Sequence, residues 1–314
     1  MVIFTLVALF LAGPRPKMEQ KIQMPALPAD LDGYLRASEA QVGGVKPGAE
    51  KTIIWADPVN KSRTPVSIVY LHGFSATRQE TRPLCDTLAA RLGANLFYTR
   101  LSGHGRDGDA MSDATVNDWL NDGVEALEIG RRIGKKVIVV GTSTGGTLAT
   151  WLAGWHGAKD LLALVMLSPN FGPRDPNARV LSWPWGGLIA RAIVGPYYSW
   201  EPVNAQQARY WNTRYPTHAL VTMMGLVELV KTVRLEAIKT PLMVIYSEND
   251  RVISADELKL HYERFGSPVK HILSVDQTGH PSNHVLAGDI LSPETTLPLA
   301  DSIMAFLHPL VKAD

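Results

Sequence analysis

The run Val139-Val140-Gly141-Thr142-Ser143-Thr144-Gly145-Gly146 constrains this chain more than any other stretch. Two β-branched residues end an apolar run, and a serine follows between flanking threonines and glycines. Thr147–Ala153 then reads as a helix. A strand that turns so sharply into a helix strains the backbone of the residue at the bend. Glycines on either side leave room for neighbouring backbone. Ser143 is therefore expected at the tip of the turn, with its hydroxyl exposed. It also stands at the first turn of the helix, where backbone N–H groups face a developing anion. Gly-x-Ser-x-Gly alone is a weak pattern, and the plain alternative is a glycine-rich turn without chemistry. The strand before it and the helix after it give it weight.

The rest of the chain has the same strand–helix rhythm. Apolar runs at Thr52–Trp55, Val66–Leu71, Asn95–Leu101, Lys136–Val140, Leu162–Leu167, Pro241–Tyr246 and Lys270–Val275 read as strands. Several lack alternation, as expected of parallel strands covered on both faces. Helices are expected between them. Thr77-Arg-Gln-Glu80 reads as a capping box for one of these, with Leu84, Leu88 and Leu92 on its inner face. Others open at Thr115, at Ser254 and at Ser292-Pro293, where proline suits the first helical position. The pattern implies an α/β fold, a mostly parallel sheet with helices on both faces. Residues 170–239 break the rhythm, with proline and with Trp183, Trp185, Trp200 and Trp211. They are expected to form a mainly helical cap inserted in a core of residues 52–169 and 240–314. Residues 18–51 read as a linker.

A second motif, Tyr70-Leu71-His72-Gly73-Phe74-Ser75, directly follows a strand. A loop there can offer a backbone N–H that pairs with the N–H after a nucleophile to hold an oxyanion. The two donors would be Phe74 and Thr144. His72 reads as a brace of this loop rather than a base. With Ser102-Gly103-His104-Gly105 and the serine turn, these motifs form an ordered set. The set resembles the carboxylesterase and monoacylglycerol-lipase branch of the α/β-hydrolases, over roughly Thr52 to Leu310. The resemblance implies an α/β-hydrolase fold and ester hydrolysis by a triad running Ser, Asp, His along the chain. It also implies that His104 shapes a loop near the mouth of the site.

Both partners should then follow Ser143. Asp250, at the end of Met243-Val244-Ile245-Tyr246-Ser247-Glu248-Asn249-Asp250, fits the acid, with Glu248 as the alternative. Its task would be to accept Nδ1–H of the histidine. Two histidines compete for the base. Gly279-His280 favours His280. His284-Val285-Leu286-Ala287-Gly288-Asp289 resembles the His-Val-Ile-x-x-Asp around the catalytic histidine of small bacterial carboxylesterases. That pattern, and the shorter distance to the last helix, assign the base to His284, with His280 as the alternative.

Composition excludes more than it adds. The net charge is +1 over 314 residues, without basic runs, so nucleic acid is not an expected partner. Cys85 is the single cysteine, which leaves no intrachain disulfide. No metal-ligand cluster or dinucleotide fingerprint occurs, and no cofactor is expected. Residues 1–17 hold an apolar run too short to span a bilayer comfortably. They read as a signal or membrane-anchor candidate, and so as an exported or anchored protein. The alternatives are a short helix packed on the body and a cytoplasmic location. The expectation is a serine hydrolase of short to medium acyl esters or monoacylglycerols. Trp183, Trp185, Tyr197, Tyr198, Met223 and Met224 are candidate lining residues. Thioesterase, amidase or acyltransferase chemistry is the nearest alternative, and a catalytically silent binding protein a remoter one.

Overall fold

Strands whose side chains are apolar on both sides need cover on both sides, and the chain supplies it with helices between successive strands. The computed structural model describes residues 2–155 and 160–312, without the side chains of Val2, Ile3 and Leu6. Met1, residues 156–159 and residues 313–314 therefore fall outside the described parts of the N-terminal segment and the core.

In chain order, α1 (Val2–Leu11) and α2 (Leu31–Val42) come first. Then follow β1 (Thr52–Ile54), β2 (Thr64–Leu71), α3 (Leu84–Leu92), β3 (Asn95–Tyr98), α4 (Val116–Ile133), β4 (Gly134–Thr142), α5 (Thr144–Gly154) and β5 (Leu161–Leu167). The next stretch holds α6 (Gly186–Val194), β6 (Tyr197–Ser199), α7 (Ala205–Tyr210), β7 (Arg214–Pro216) and α8 (His218–Lys231). The chain closes with β8 (Leu242–Tyr246), α9 (Ala255–Arg264), β9 (Lys270–Ser274) and α10 (Pro293–Lys312).

Seven strands form the main sheet in the order β1-β3-β2-β4-β5-β8-β9. All neighbours pair in parallel except β1, which runs antiparallel to β3. This is the α/β-hydrolase fold that the sequence implied. All seven expected strands are present, and β3 stops at Tyr98, short of the expected Leu101. β6 and β7 make a separate two-stranded ribbon.

The sheet's two faces carry two cores. Val69, Leu71, Val137, Val139, Leu164 and Met166 point to one, with Leu120, Val124 and Leu127 of α4 and Leu148 and Leu152 of α5. Ile68, Tyr70, Ile138, Val140 and Val165 point to the other, with Leu84 and Leu88 of α3 and Leu299, Ile303 and Leu307 of α10. The alternation is the period of two that a pleated strand imposes. Thr115 caps α4 as expected: its hydroxyl accepts Asp118 N–H, and the Asp118 carboxylate accepts Thr115 N–H.

The expected capping box at Thr77–Glu80 does not form. α3 starts at Leu84, and no side chain caps it. The Glu80 carboxylate turns inward to Tyr70 and Gly73. Leaving those two groups unpaired inside would cost about 1–3 kcal/mol each, whereas an exposed turn can use water.

After β5 the chain stays close to the loop behind β8. Arg174 N–H donates to Val252 O at 3.0 Å, and Ser254 N–H to Gly172 O at 2.9 Å. At the other end, α1 is apolar but only 10 residues long. Among the described residues no helix is long and apolar enough to cross a membrane.

Leu148 is fully buried and packs against Gly123 of α4. Leu148→Ala should lower the unfolding free energy by about 2–5 kcal/mol in urea titrations. A loss below 1 kcal/mol would contradict the close packing of α4 on α5.

Candidate active site

The turn between β4 and α5 gives Ser143 the bent backbone that the sequence requires, but the residue is 5 % exposed and so buried rather than open as expected, with the start of α5 packed against the end of β2. Its φ of 52° and ψ of −116° lie outside the ordinary regions for a residue with a side chain. Such a conformation costs roughly 1–3 kcal/mol and persists only when its surroundings impose it. Here the imposition is visible. Ser143 N–H donates to Leu167 O at 2.9 Å, and Ser143 O accepts Thr147 N–H at 3.1 Å. A Cβ on Gly145 would stand 2.0 Å from Leu71 O, and one on Gly141 2.5 Å from Gly145 O. The flanking glycines thus allow the start of α5 to press against the end of β2. Thr144, the first residue of α5, offers its N–H at the helix's positive end.

The loop after β2 is held from two sides. His72 donates Nδ1–H to Gly73 O at 2.9 Å, and its Nε2 accepts Leu101 N–H at 3.0 Å. Burial, with His104 and Arg100 nearby, drives His72 well below the ordinary histidine value. It is a neutral brace whose two nitrogens are both engaged. His104 hydrogen-bonds through Nδ1 to Ser102 O, and burial lowers it to about 4. The Phe74 ring meets His104, Trp119 and Tyr215 edge-on at 5.3–6.2 Å. These contacts fix the direction in which the Phe74 backbone leaves the loop.

The loops after β8 and β9 bring Asp250 and His284 together. Asp250 is 1 % exposed. Its Oδ1 accepts the N–H groups of Val252 and Ile253 at 2.7 and 3.0 Å. Its Oδ2 accepts Nδ1–H of the buried His284 at 2.8 Å. This bond leaves the lone pair of His284 on Nε2. Burial on its own would lower His284, but the Asp250 charge, their hydrogen bond and the Glu80 charge outweigh it and hold the imidazole above its ordinary value. The competing residues go elsewhere. His280 bonds Ser282 Oγ at 2.6 Å, and burial and the nearby His284 lower it. Glu248 is exposed and bound to Tyr246 and Lys259.

Glu80 is the residue that sequence patterns miss. It is buried, and its Oε2 accepts Gly73 N–H at 2.8 Å and Tyr70 O–H at 3.0 Å. Burial raises its carboxyl to about 7, against the Gly73 amide, the charge of His284 and the Tyr70 hydroxyl. The signal in the sequence was Tyr70 itself, since a tyrosine in a buried strand needs a partner for its hydroxyl.

The aromatic and methionine residues between β5 and β8 do not gather in one place. Asn170 Nδ2 contacts Met223 Sδ at 3.1 Å, and Asn170 N–H donates to Ser143 O, so Met223 lies near the serine turn. Met224 is buried with Leu181 and Val221. Arg214 stacks over Tyr197, and Tyr198 packs on Tyr215. Trp183 and Trp185 open to solvent, and Trp185 Nε1–H donates to Leu9 O of α1.

Comparison with known proteins identifies the family and the fold. The family described as serine aminopeptidase, S33, matches residues 63–282, more than half of the chain. The match spans Ser143 and Asp250 and ends two residues before His284. The chain is 25% identical over 225 residues to a thermostable monoacylglycerol lipase of Bacillus sp. (strain H-257), covering 72% of this chain and 86% of the relative. One of the metagenome-derived lipolytic enzymes LipS and LipT has a similar structure, with a TM-score of 0.68 at 21% identity, over 84% of this chain and 99% of the other. The monoacylglycerol lipase of Paleococcus ferrophilus gives 0.59 at 16%, over 84% and 100%. At these identities the structural likenesses establish the fold.

The three histidine environments are separable in solution. Histidine-selective NMR titration should show His284 above 6.5, His280 below 6.5 and His104 at about 4. A His284 curve at or below that of His280 would contradict the Asp250–His284 pairing.

Proposed function

The chain belongs to the serine aminopeptidase S33 family of hydrolases, and from that membership we propose that it hydrolyses carboxylic esters, with Ser143 as nucleophile, His284 as base and Asp250 as the acid that orients it. The observation that carries the reading is the 2.8 Å bond from His284 Nδ1 to Asp250 Oδ2. It fixes the tautomer that a general base needs. His284 Nε2 takes the Ser143 proton as Oγ attacks the ester carbonyl. The N–H groups of Phe74 and Thr144 receive the oxyanion. His284 then protonates the departing alcohol and leaves an acyl group on Ser143. Water, deprotonated by His284, releases the acid and restores the serine. The natural substrates are read as short to medium acyl esters or monoacylglycerols, in keeping with the lipolytic relatives.

The family's name favours a second reading, amide hydrolysis at a free N-terminus. Such a substrate brings an ammonium that needs a carboxylate facing it. The acids near the site are already committed: Glu80 to Gly73 and Tyr70, Asp250 to His284, and Glu248 to Lys259. This weighs for esters.

Turnover of p-nitrophenyl esters from acetate to palmitate, of a monoacylglycerol and of aminoacyl p-nitroanilides separates the readings. The wild type should cleave the esters and leave the anilides nearly untouched. Ser143→Ala and His284→Ala should each lose about 10⁴-fold or more in kcat, and His280→Ala should stay within about threefold. Activity on anilides alone would reverse the assignment.

The N-terminal segment carries a related proposal. Phe4 is 83 % exposed, and Val7, Leu9, Phe10 and Leu11 are also open to solvent. Beside them α6 exposes Leu188, Ile193 and Val194. Trp185 joins the two, through Nε1–H to Leu9 O and through its N–H to Pro14 O. Arg15, Lys17 and Arg191 add positive charge. We read this surface as the part that keeps an exported or anchored enzyme at a lipid surface. The full chain should co-sediment with phosphatidylglycerol-containing vesicles, and a chain lacking residues 1–13 should bind at least tenfold more weakly. Equal binding by the two would remove α1 from the proposal.

A further inference from the structure

Triad chemistry on this fold needs a nucleophile, a base, an acid and two backbone donors. None of these roles calls for a second buried carboxylate, yet Glu80 is 2 % exposed at the centre of the site. Its contacts reach two parts of the machinery, and its charge acts on a third. Oε2 accepts Gly73 N–H at 2.8 Å, so it holds the peptide directly before Phe74. It also accepts a hydrogen bond from the Tyr70 hydroxyl at 3.0 Å. A phenol has one proton, so the 3.0 Å contact between Tyr70 and Thr142 leaves the Thr142 hydroxyl as donor. Thr142 is the residue before Ser143. The third part is His284, whose charge and that of Glu80 act on each other. The backbone is fitted as closely: a Cβ on Gly288 would stand 2.5 Å from Glu80 O, and one on Gly73 2.7 Å from Glu80 Oε1.

We propose that Glu80 is a positioning residue for the reaction, holding the Phe74 donor loop and the serine turn in register and presenting a negative charge to His284. The proposal rests on the assignment of Ser143, His284 and Asp250 above. The ionisable groups around this carboxylate are few. Tyr70 comes from β2, with Cys85 of α3 behind it. His284 comes from the loop after β9, with Asp250 and His280 acting on it in turn. When His284 takes the serine proton it becomes cationic. Glu80 and Asp250 are then the two carboxylates that act on this cation, Asp250 through a hydrogen bond and Glu80 through the charge it carries once ionised, at about pH 7 and above. Glu80 differs from Asp250 in also gripping the donor loop, so a single side chain couples the base to the anion-binding groups.

The test is the kinetics of Glu80→Gln, Glu80→Asp and Glu80→Ala on a p-nitrophenyl ester from pH 5.5 to 9, with Ser143→Ala alongside and melting temperatures as the control for folding. Gln keeps an acceptor oxygen but loses the charge. It should lower kcat by about tenfold with KM within about threefold. The acid limb of kcat/KM should move to lower pH, because Gln removes both the Glu80 ionisation at about 7 and the charge that raises the imidazole once Glu80 is ionised. Asp keeps the charge but is too short to reach both donors, so kcat should fall while the limb stays in place. Ala should lose about 10²-fold or more, comparable to losing one donor of an oxyanion site. Wild-type kcat in Ala or in Asp overturns the positioning role. A limb that does not move in Gln overturns the electrostatic one. If Gln and Ala do not fold, Asp decides: unchanged kcat or a displaced limb sinks the proposal. Turnover surviving in Ser143→Ala would instead remove the assignment on which Glu80 depends. A dead Ser143→Ala beside unaffected Glu80 variants would fault Glu80 alone.

Discussion

The site depends on one close approach. The first turn of α5 lies so near the end of β2 that a methyl group on Gly145 would overlap Leu71 O, at 2.0 Å. With no Cβ at Gly145, the helix start can lie directly against the strand. It thereby sets the direction in which Ser143 must turn and keeps its φ at 52°. It also fixes the spacing between the N–H of Thr144 and the loop that begins at His72. Two donors and a hydroxyl can be held within tenths of an ångström only if the backbones carrying them touch. Glycine is what lets them touch.

The other half of the site is built from side chains. Asp250 is held by two backbone amides, and it in turn holds His284. Its position comes from the ends of β8 and β9, neighbouring strands that pair from Leu242 to Tyr246. Parallel strands bring all their C-terminal ends to one edge, so the turn after β4 that carries Ser143 and the loops after β8 and β9 that carry Asp250 and His284 open at the same edge of the sheet. Glu80 stands between the halves, bonded to the backbone side at Gly73 and acting on the side-chain side at His284.

The fold was readable because burial on both faces leaves nearly continuous apolar runs, and seven of them fall on the seven sheet strands. The order β1-β3-β2-β4-β5-β8-β9 was not, since pairing between distant strands leaves no mark on local pattern. The antiparallel direction of β1 was hidden for the same reason. In the site, Ser143 stood in a motif with a backbone reason behind it. Choosing between His280 and His284 took a likeness to known enzymes, because both follow the same strand and the distinction lies in which ring reaches Asp250. Glu80 was misread outright. Thr-x-x-Glu has the same letters whether the carboxylate caps a helix or goes inside, and only the unpartnered Tyr70 hydroxyl and Gly73 amide decide between them.

The stretch that follows β5 is stitched at its root to the loop of Asp250. Gly172 and Arg174 bond with Ser254 and Val252, Pro173 bridges to Ile253, and the Arg174 guanidinium reaches Asp250 O. Its base is therefore clamped to the same peptide segment that presents the acid. Residues 172–174 and the loop that holds Asp250 are thus tied into one piece, so a displacement of that root is also a displacement of the carboxylate bonded to His284.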